Sequence, residues 1–333
     1  MNAPAEATGR SSRRRRARTT IPDYGDRSGV IWLNGEFLPW KRVRLPVLTQ
    51  GLHYGASVFE GERAYEGRIF RSRDHSRRLL HSAARLGMEI PFDVDALEAA
   101  KAETLARSGL SDAYVRPVVW RGSRLMDLAT QGADVHCAIA AWPWDEPTPH
   151  PRVGIRMTLA HWRRPPRSAA PVDAKAGGLY VIASLAKDEA QREGYDDALM
   201  LDGDGDIADA TGANVFFVRD GELFTPERGD FLDGVTRQTM TQLALDRGIR
   251  IHQTKIRPED LRGFSECFLT GTAAEVTTVV EIAGICFTPG AVSLELHAAY
   301  QQAVRAPSDH FPHALLHPQP FRHIGRAFPT HGA

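Results

Sequence analysis

Four prolines within nine residues, Pro143, Pro147, Pro149 and Pro151, cut the chain near its middle. Proline lacks an amide donor and disfavours helix at the residue before it, so neither a helix nor a central strand runs through this stretch. The fold must be assembled from two blocks, and 333 residues give each of them enough chain to bury a core. In both blocks short runs rich in Val, Ile and aromatic residues mix irregularly with longer helical patterns. There is no regular strand-turn-helix alternation and no G-x-G-x-x-G, which argues against a dinucleotide-binding sheet. The expectation is an α+β protein: a disordered basic tail over 1–27, an N-terminal domain over 28–143, a linker over 144–152, a C-terminal domain over 153–306 and a flexible tail over 307–333.

Local signals fill in the two blocks. Asn34-Gly35, set within the apolar stretch Val30–Trp40, supplies the positive φ angles of a tight hairpin turn, and Glu66-Gly67 does the same between Val58–Tyr65 and Arg68–Arg71. Asp74 can cap a helix with Leu79, Leu80, Ala83 and Leu86 on one face and Gly87 at its end. A second helix is expected from about Asp95 to Ser108, then strands at Ala113–Trp120 and Val135–Trp142. The second block reads as strands near Val153–Leu159, Asp197–Leu201, Asn214–Val218, Leu223–Thr225, Arg250–Thr254 and Glu266–Thr270. Its helices fall near Leu179–Arg192, Thr236–Asp246 and Val292–Arg305.

Charge and cysteine content exclude several classes. Lys plus Arg total 41 and Asp plus Glu total 41, so no whole-molecule field draws the chain to nucleic acid or an anionic membrane, and a small-molecule partner is expected. No stretch approaches the roughly 18 apolar residues of a membrane span. Cys137, Cys267 and Cys286 are odd in number and widely spaced, which fits reduced thiols in a cytoplasm. The run Arg13–Arg16 is read as a solvated tail, and the histidines after Pro307 as a surface segment whose prolines prevent a shared metal-binding face. Asp202–Asp206 begins like a calcium loop, but Ile207 and Ala213 stand where Gly and Glu are needed, so a surface turn is expected.

Chemistry concentrates around Lys175, which lies in Ala174-Lys175-Ala176-Gly177-Gly178-Leu179-Tyr180 among small and apolar residues. Such surroundings strip solvation from an ammonium and lower its pKa, which suits an amine for Schiff-base chemistry, although an isolated lysine is more often a solvated surface group. A pyridoxal-phosphate site has three further needs. Its phosphate wants helix-start amides and a cation, for which Gly234-Val235-Thr236, Gly271-Thr272-Ala273-Ala274 and Arg78 are candidates. Its ring nitrogen wants a carboxylate, for which Asp209 is available. A substrate carboxylate wants a forked cation or oriented donors, and Tyr114 and Arg116 alternate on one strand and share a face. Phe59 and Tyr65 read equally as strand core, and Arg63 and Arg116 as partners of Glu60 or another structural acid.

Taken in order, these segments resemble the class IV aminotransferases, the fold type IV pyridoxal-phosphate enzymes, and among them the branched-chain amino-acid aminotransferases. The resemblance runs over about residues 29–290, some four fifths of the chain. It is carried by His53-Tyr54-Gly55 and Val58-Phe59-Glu60-Gly61-Glu62-Arg63-Ala64-Tyr65, by Phe70-Arg71 with His75 and Arg78-Leu79, by Ala113-Tyr114-Val115-Arg116-Pro117 and by Ala141-Trp142-Pro143-Trp144. The second half adds Lys175 with Tyr180, Leu232-Asp233-Gly234-Val235-Thr236-Arg237 and Thr270-Gly271-Thr272-Ala273-Ala274-Glu275-Val276.

The resemblance implies a two-domain fold type IV architecture like that of D-amino-acid aminotransferase, and a homodimer or higher homo-oligomer. Lys175 would hold pyridoxal 5'-phosphate, Tyr180 its phenolic oxygen, Asp209 its ring nitrogen, and Arg78, Gly234, Val235, Thr236, Gly271 and Thr272 its phosphate. Substrates would be branched-chain L-amino acids and 2-oxo acids, exchanged in a ping-pong cycle. Tyr54, Phe59, Tyr114, Met126, Ala273 and Ala274 would line the substrate side, with Arg63 and Arg116 receiving the carboxylate of 2-oxoglutarate or glutamate.

Two positions depart from the family pattern. Asp209 stands where Glu is general, one methylene or about 1.5 Å shorter, so its reach to the ring is expected to be longer, bridged by water or restored by a backbone shift. Arg124-Leu125-Met126-Asp127-Leu128 replaces a glycine-rich loop beside the substrate side chain. D-amino-acid and amine transaminases and aminodeoxychorismate lyases share Lys175 and the phosphate turns, so only the substrate side separates them from the branched-chain reading.

Overall fold

The computed structural model describes residues 23–144 and 153–306. Most of the basic tail, nearly all of the proline-rich linker and the histidine-bearing C-terminal segment lie outside the described residues.

The first block comprises β1 (Val30–Leu33), β2 (Glu36–Pro39), α1 (Gln50–His53), β3 (Ser57–Phe59), β4 (Glu62–Tyr65), β5 (Arg68–Ile69), α2 (Ser72–Arg85), α3 (Val94–Ser108), β6 (Ala113–Arg121) and β7 (Val135–Pro143). Its strands form one antiparallel sheet in the order β2-β1-β7-β6-β4-β5, with β3 also paired to β6. Both hairpin turns form where the dipeptides predict them, with φ near 51° at Asn34 and at Glu66 and positive φ at the following glycines. The single run expected over Val58–Tyr65 is broken at Glu60-Gly61, both buried, although the Glu60 amide still donates to the Pro117 carbonyl of β6 at 2.8 Å. Helix α2 starts at Ser72, two residues before Asp74, whose carboxylate takes the Arg71 guanidinium at 2.8 Å. Gly87, at φ 64°, closes this turn as expected.

The second block comprises β8 (Ile155–Arg163), α4 (Tyr180–Arg192), β9 (Asp197–Leu201), β10 (Ile207–Ala210), β11 (Asn214–Arg219), β12 (Glu222–Pro226), α5 (Val235–Leu245), β13 (Ile251–Thr254), β14 (Glu266–Gly271), β15 (Glu275–Ile282), β16 (Ile285–Cys286) and α6 (Ala291–Ala303). Nine strands form a mixed sheet in the order β10-β9-β8-β15-β14-β11-β12-β13, with β16 on β15. Asp202–Asp206 is a tight turn in which Asp202 Oδ1 accepts the amides of Asp204 and Asp206.

The two blocks share core. Tyr65, at the end of β4, is 1% exposed and packs with Phe216, Phe268 and Tyr300 of the second block. In return, Ala174 and Ala176 sit in the apolar core of the first. The site lies on this seam.

Candidate active site

Helix α2 presents one face to the seam. His75, Arg78, Leu79 and Ser82 recur at helical spacing, so the face that buries Leu79 also delivers polar groups inward. Ser82 Oγ accepts the backbone amide of Lys175 at 3.0 Å, and the amide of Phe59 donates to the Lys175 carbonyl at 3.1 Å. Both peptide groups of the lysine are therefore fastened to the first block. Its side chain reaches Tyr180 Oη at 2.6 Å and lies over the rings of Phe59 and Tyr180. A short turn over 177–179 brings Tyr180 back onto the lysine it follows by five residues.

Asp209 lies on β10 immediately after a register shift against β9, an irregularity that re-aims a strand side chain. Asp209 is 6% exposed and carries a partner that the sequence did not suggest. Arg164 Nε donates to Oδ1 at 2.7 Å and Nη2 to Oδ2 at 3.1 Å. Burial pushes the Asp209 carboxyl above the usual carboxylate range, and the Arg164 guanidinium pulls against it.

At the turns expected to take a phosphate, Gly234 precedes α5, whose first amides have no side-chain cap. Asn214 braces the turn, accepting the Gly234 amide at 3.1 Å and donating to the Leu232 carbonyl at 3.0 Å. Any Cβ at Gly234 would overlap Asn214 Oδ1. Arg78 donates through Nε and Nη2 to the fully buried Glu60, at 2.6 and 2.8 Å, while Nη1 leans on the Asp233 carbonyl at 3.5 Å. His75 also meets Glu60, at 2.7 Å. Burial alone would push the Glu60 carboxyl up, but Arg78 and His75 outweigh it and hold the group far below the usual range.

Arg78, Arg164, Lys175, Tyr180, Asp209, Asn214 and Gly234 line one cavity of about 200 Å³, with Glu60 and His75 behind Arg78. Of the residues singled out from sequence it gathers Phe59, Arg78, Tyr114, Arg116, Lys175, Tyr180, Asp209, Gly234, Val235, Thr236, Gly271, Thr272 and Ala273. Gly61 lines it too, and a side chain there would overlap the Tyr114 hydroxyl. Arg116 has a buried Nε with no hydrogen-bond partner, an Nη2 donating to Tyr114 Oη at 3.3 Å, and no carboxylate paired with it among the described residues.

Four expected residues do not line the cavity. Arg63 is held by Glu275 at 3.1 Å, an acid that also accepts from Tyr65 and Gln301. Tyr54 and Met126 are 47% and 54% exposed in the single chain, and the Ala274 carbonyl accepts from the Thr277 hydroxyl. Sequence reasoning missed Arg164, Asn214, Glu60 and Thr270 as site residues. A buried Asp209 implies a counter-charge, and the Arg163-Arg164 pair at a strand end was the available signal.

The residues present suit a phosphorylated pyridine. An uncapped helix start and a buried arginine fit the phosphate. The buried carboxylate fits a ring nitrogen, and the Thr270 hydroxyl, buried with no partner, is a further donor facing the cavity.

The model of the family described as amino-transferase class IV matches residues 57–282. A branched-chain-amino-acid aminotransferase of Pseudomonas aeruginosa is 38% identical over 265 residues, 78% of this chain and 86% of its own length. That of Escherichia coli K12 is 35% identical over 267 residues, again 78% and 86%. Among solved structures, the branched-chain aminotransferase of the archaeon Thermoproteus uzoniensis, with norvaline, superposes with a TM-score of 0.80 at 36% identity, covering 83% of this chain and 95% of its own. A T.th. branched-chain amino acid aminotransferase complexed with N-(5'-phosphopyridoxyl)-L-glutamate gives 0.79 at 40% identity, with 85% and 97% covered. With the cavity's amine, carboxylate and phosphate turns in place, these likenesses establish that the chain belongs to the class IV aminotransferases and is a pyridoxal-phosphate-dependent transaminase.

Proposed function

We propose that this protein moves the amino group between branched-chain L-amino acids and 2-oxoglutarate in a ping-pong cycle. The observation that carries the reading is Arg116, a cation with no carboxylate among the described residues, set against Phe59 and Tyr114 in the cavity that holds Lys175. The aromatic walls suit an aliphatic side chain, and Arg116 suits the second carboxylate that distinguishes 2-oxoglutarate and glutamate from the branched-chain oxo acids. Relatives bearing the branched-chain name, and one solved with a glutamate conjugate, support the same pairing.

Bound pyridoxal 5'-phosphate supplies an electron sink for the carbanion formed at the substrate Cα. Arg78, the Gly234–Thr236 helix start and the Gly271-Thr272 turn would hold its phosphate, Asp209 its ring nitrogen and Tyr180 its phenolic oxygen. With the cofactor bound, Lys175 Nζ would act as the base that takes the proton from the substrate Cα and as the acid that gives it back. Tyr180, bonded to Nζ at 2.6 Å, keeps that amine aligned.

The chain works as a homodimer in the cytoplasm. Leu45, Val47, Leu48, Leu52, Tyr54, Met126 and Leu128 are all exposed in the single chain, and the Gln50 side chain ties the two segments together by donating to the Leu125 and Asp127 carbonyls. A second copy covering this apolar surface returns Tyr54 and Met126 to the edge of a site.

The test is to purify the protein, record the cofactor absorption band, reduce with borohydride and map the label, then assay L-amino acids, D-amino acids and simple amines against 2-oxoglutarate. The expected result is a pyridoxyl label on Lys175 and turnover of leucine, isoleucine and valine. Turnover of D-amino acids alone overturns the substrate assignment, and absence of a label at Lys175 overturns the role given to that residue.

A further inference from the structure

Arg164 does more than neutralise a buried acid. Its guanidinium meets both oxygens of Asp209 and is itself fixed, with Nη2 donating to the Ala210 carbonyl at 2.9 Å and the Thr211 carbonyl at 3.3 Å. Its backbone amide is tied to the Leu201 carbonyl at 2.8 Å. The carboxylate plane is therefore set from β9 and β10 together. An ionised carboxylate offers about four lone-pair directions; Arg164 uses one on each oxygen and leaves one on each for a group in the cavity.

The charged groups around Asp209 make the balance legible. Burial and the Asp197 carboxylate disfavour its ionised form, while Arg164 and Lys175 favour it. Asp197 is occupied by Lys187 at 2.7 Å and Thr211 at 2.6 Å, and Lys175 by Tyr180, so Arg164 is the cation committed to this acid. We infer that Arg164 is a positioning residue that decides where a proton shared between Asp209 and the cofactor's ring nitrogen rests, and holds it on the nitrogen. The inference rests on the reading of the cavity as a pyridoxal-phosphate seat. Physically, a guanidinium on both oxygens stabilises carboxylate over carboxylic acid, so the acid does not retain the proton. Without Arg164, burial is opposed only by a lysine already engaged elsewhere, and the carboxyl takes the proton.

The test uses the full-length holoenzyme, Arg164→Gln and Arg164→Lys, with nitrogen NMR of ring-labelled pyridoxal 5'-phosphate, cofactor affinity of the stripped protein and thermal melting. In the wild type the ring nitrogen gives a protonated signal. Arg164→Gln is expected to move it towards the neutral position and to weaken cofactor binding by roughly tenfold or more, the scale of a lost charged hydrogen bond. Arg164→Lys is expected to restore the protonated signal at least in part. A lower melting temperature in Arg164→Gln with an unmoved nitrogen signal assigns Arg164 a purely structural role and overturns the inference. If Arg164→Gln does not fold, Arg164→Lys and Asp209→Asn decide: a neutral ring in Asp209→Asn with a protonated ring in Arg164→Lys supports it, and identical signals in both overturn it. Failure of the wild type to take up pyridoxal 5'-phosphate overturns instead the reading beneath it.

Discussion

At the scale of single residues, the site is a set of cations with different obligations. Arg63, Arg78 and Arg164 each hold a buried acid, Glu275, Glu60 and Asp209 respectively, whereas Arg116 keeps its charge for whatever enters the cavity. Arg116→Met should raise KM for 2-oxoglutarate by about ten- to hundredfold, the equivalent of about 1.5–3 kcal/mol for a charge-assisted hydrogen bond. Steady-state kinetics with 2-oxoglutarate and with a branched-chain oxo acid will check this, because the latter lacks the second carboxylate and should be affected far less. Equal losses for both would place Arg116 outside carboxylate recognition. The sequence made Lys175, Tyr180, Arg78 and the glycine turns legible because their chemistry is local and each sits in a distinctive short run. It did not reveal who pairs with whom. Arg63 was open to Glu60 or another acid, and its partner Glu275 lies 212 residues away; no spacing rule reaches that far.

At the scale of elements, the same division holds. Hairpins fixed by Asn34-Gly35 and Glu66-Gly67 and the end of α2 at Gly87 follow from backbone preferences of a few residues. Strands β10 and β15 did not emerge from the pattern, because β10 is four fully buried residues with no alternation and β15 follows directly on the Gly271–Ala274 turn. Their existence depends on neighbours in the sheet. Another non-local link joins α2 to the stretch leading into Lys175, where Asp173 meets His81 at 3.3 Å and Arg85 at 3.0 Å. The His81 hydrogen bond and the Arg85 charge, acting against partial burial, bring the Asp173 carboxyl from its ordinary 3.8 to about 2. A depressed carboxyl stabilises the fold above its unfolded pKa, and that contribution is lost as pH falls through the folded one. The stability difference between wild type and Asp173→Asn should therefore be present above pH 3.8 and close as pH approaches about 2. Urea midpoints of the cofactor-free protein across that window will check it, and a difference that stays constant would remove Asp173 from the linkage.

At the scale of the whole molecule, the two sheets each have a core of their own and meet along a seam where a third cluster is shared. Tyr65, a residue of the first sheet, packs its side chain among second-block residues, and its hydroxyl donates to Glu275 at 2.8 Å. Tyr65→Ala should cost about 3–5 kcal/mol, the range for losing a large buried aromatic, and the protein should unfold in one transition before and after the change. Calorimetry that resolved two transitions would show the blocks to be energetically independent. The peptide ties at Lys175 give this shared core a kinematic meaning. Lys175 is tied to α2 and β3, while Asp209 and the turns at Gly234 and Gly271 belong to the second block. On the roles proposed for these residues, any parting of the blocks at the seam would draw Lys175 away from Asp209 and the glycine turns without breaking a strand.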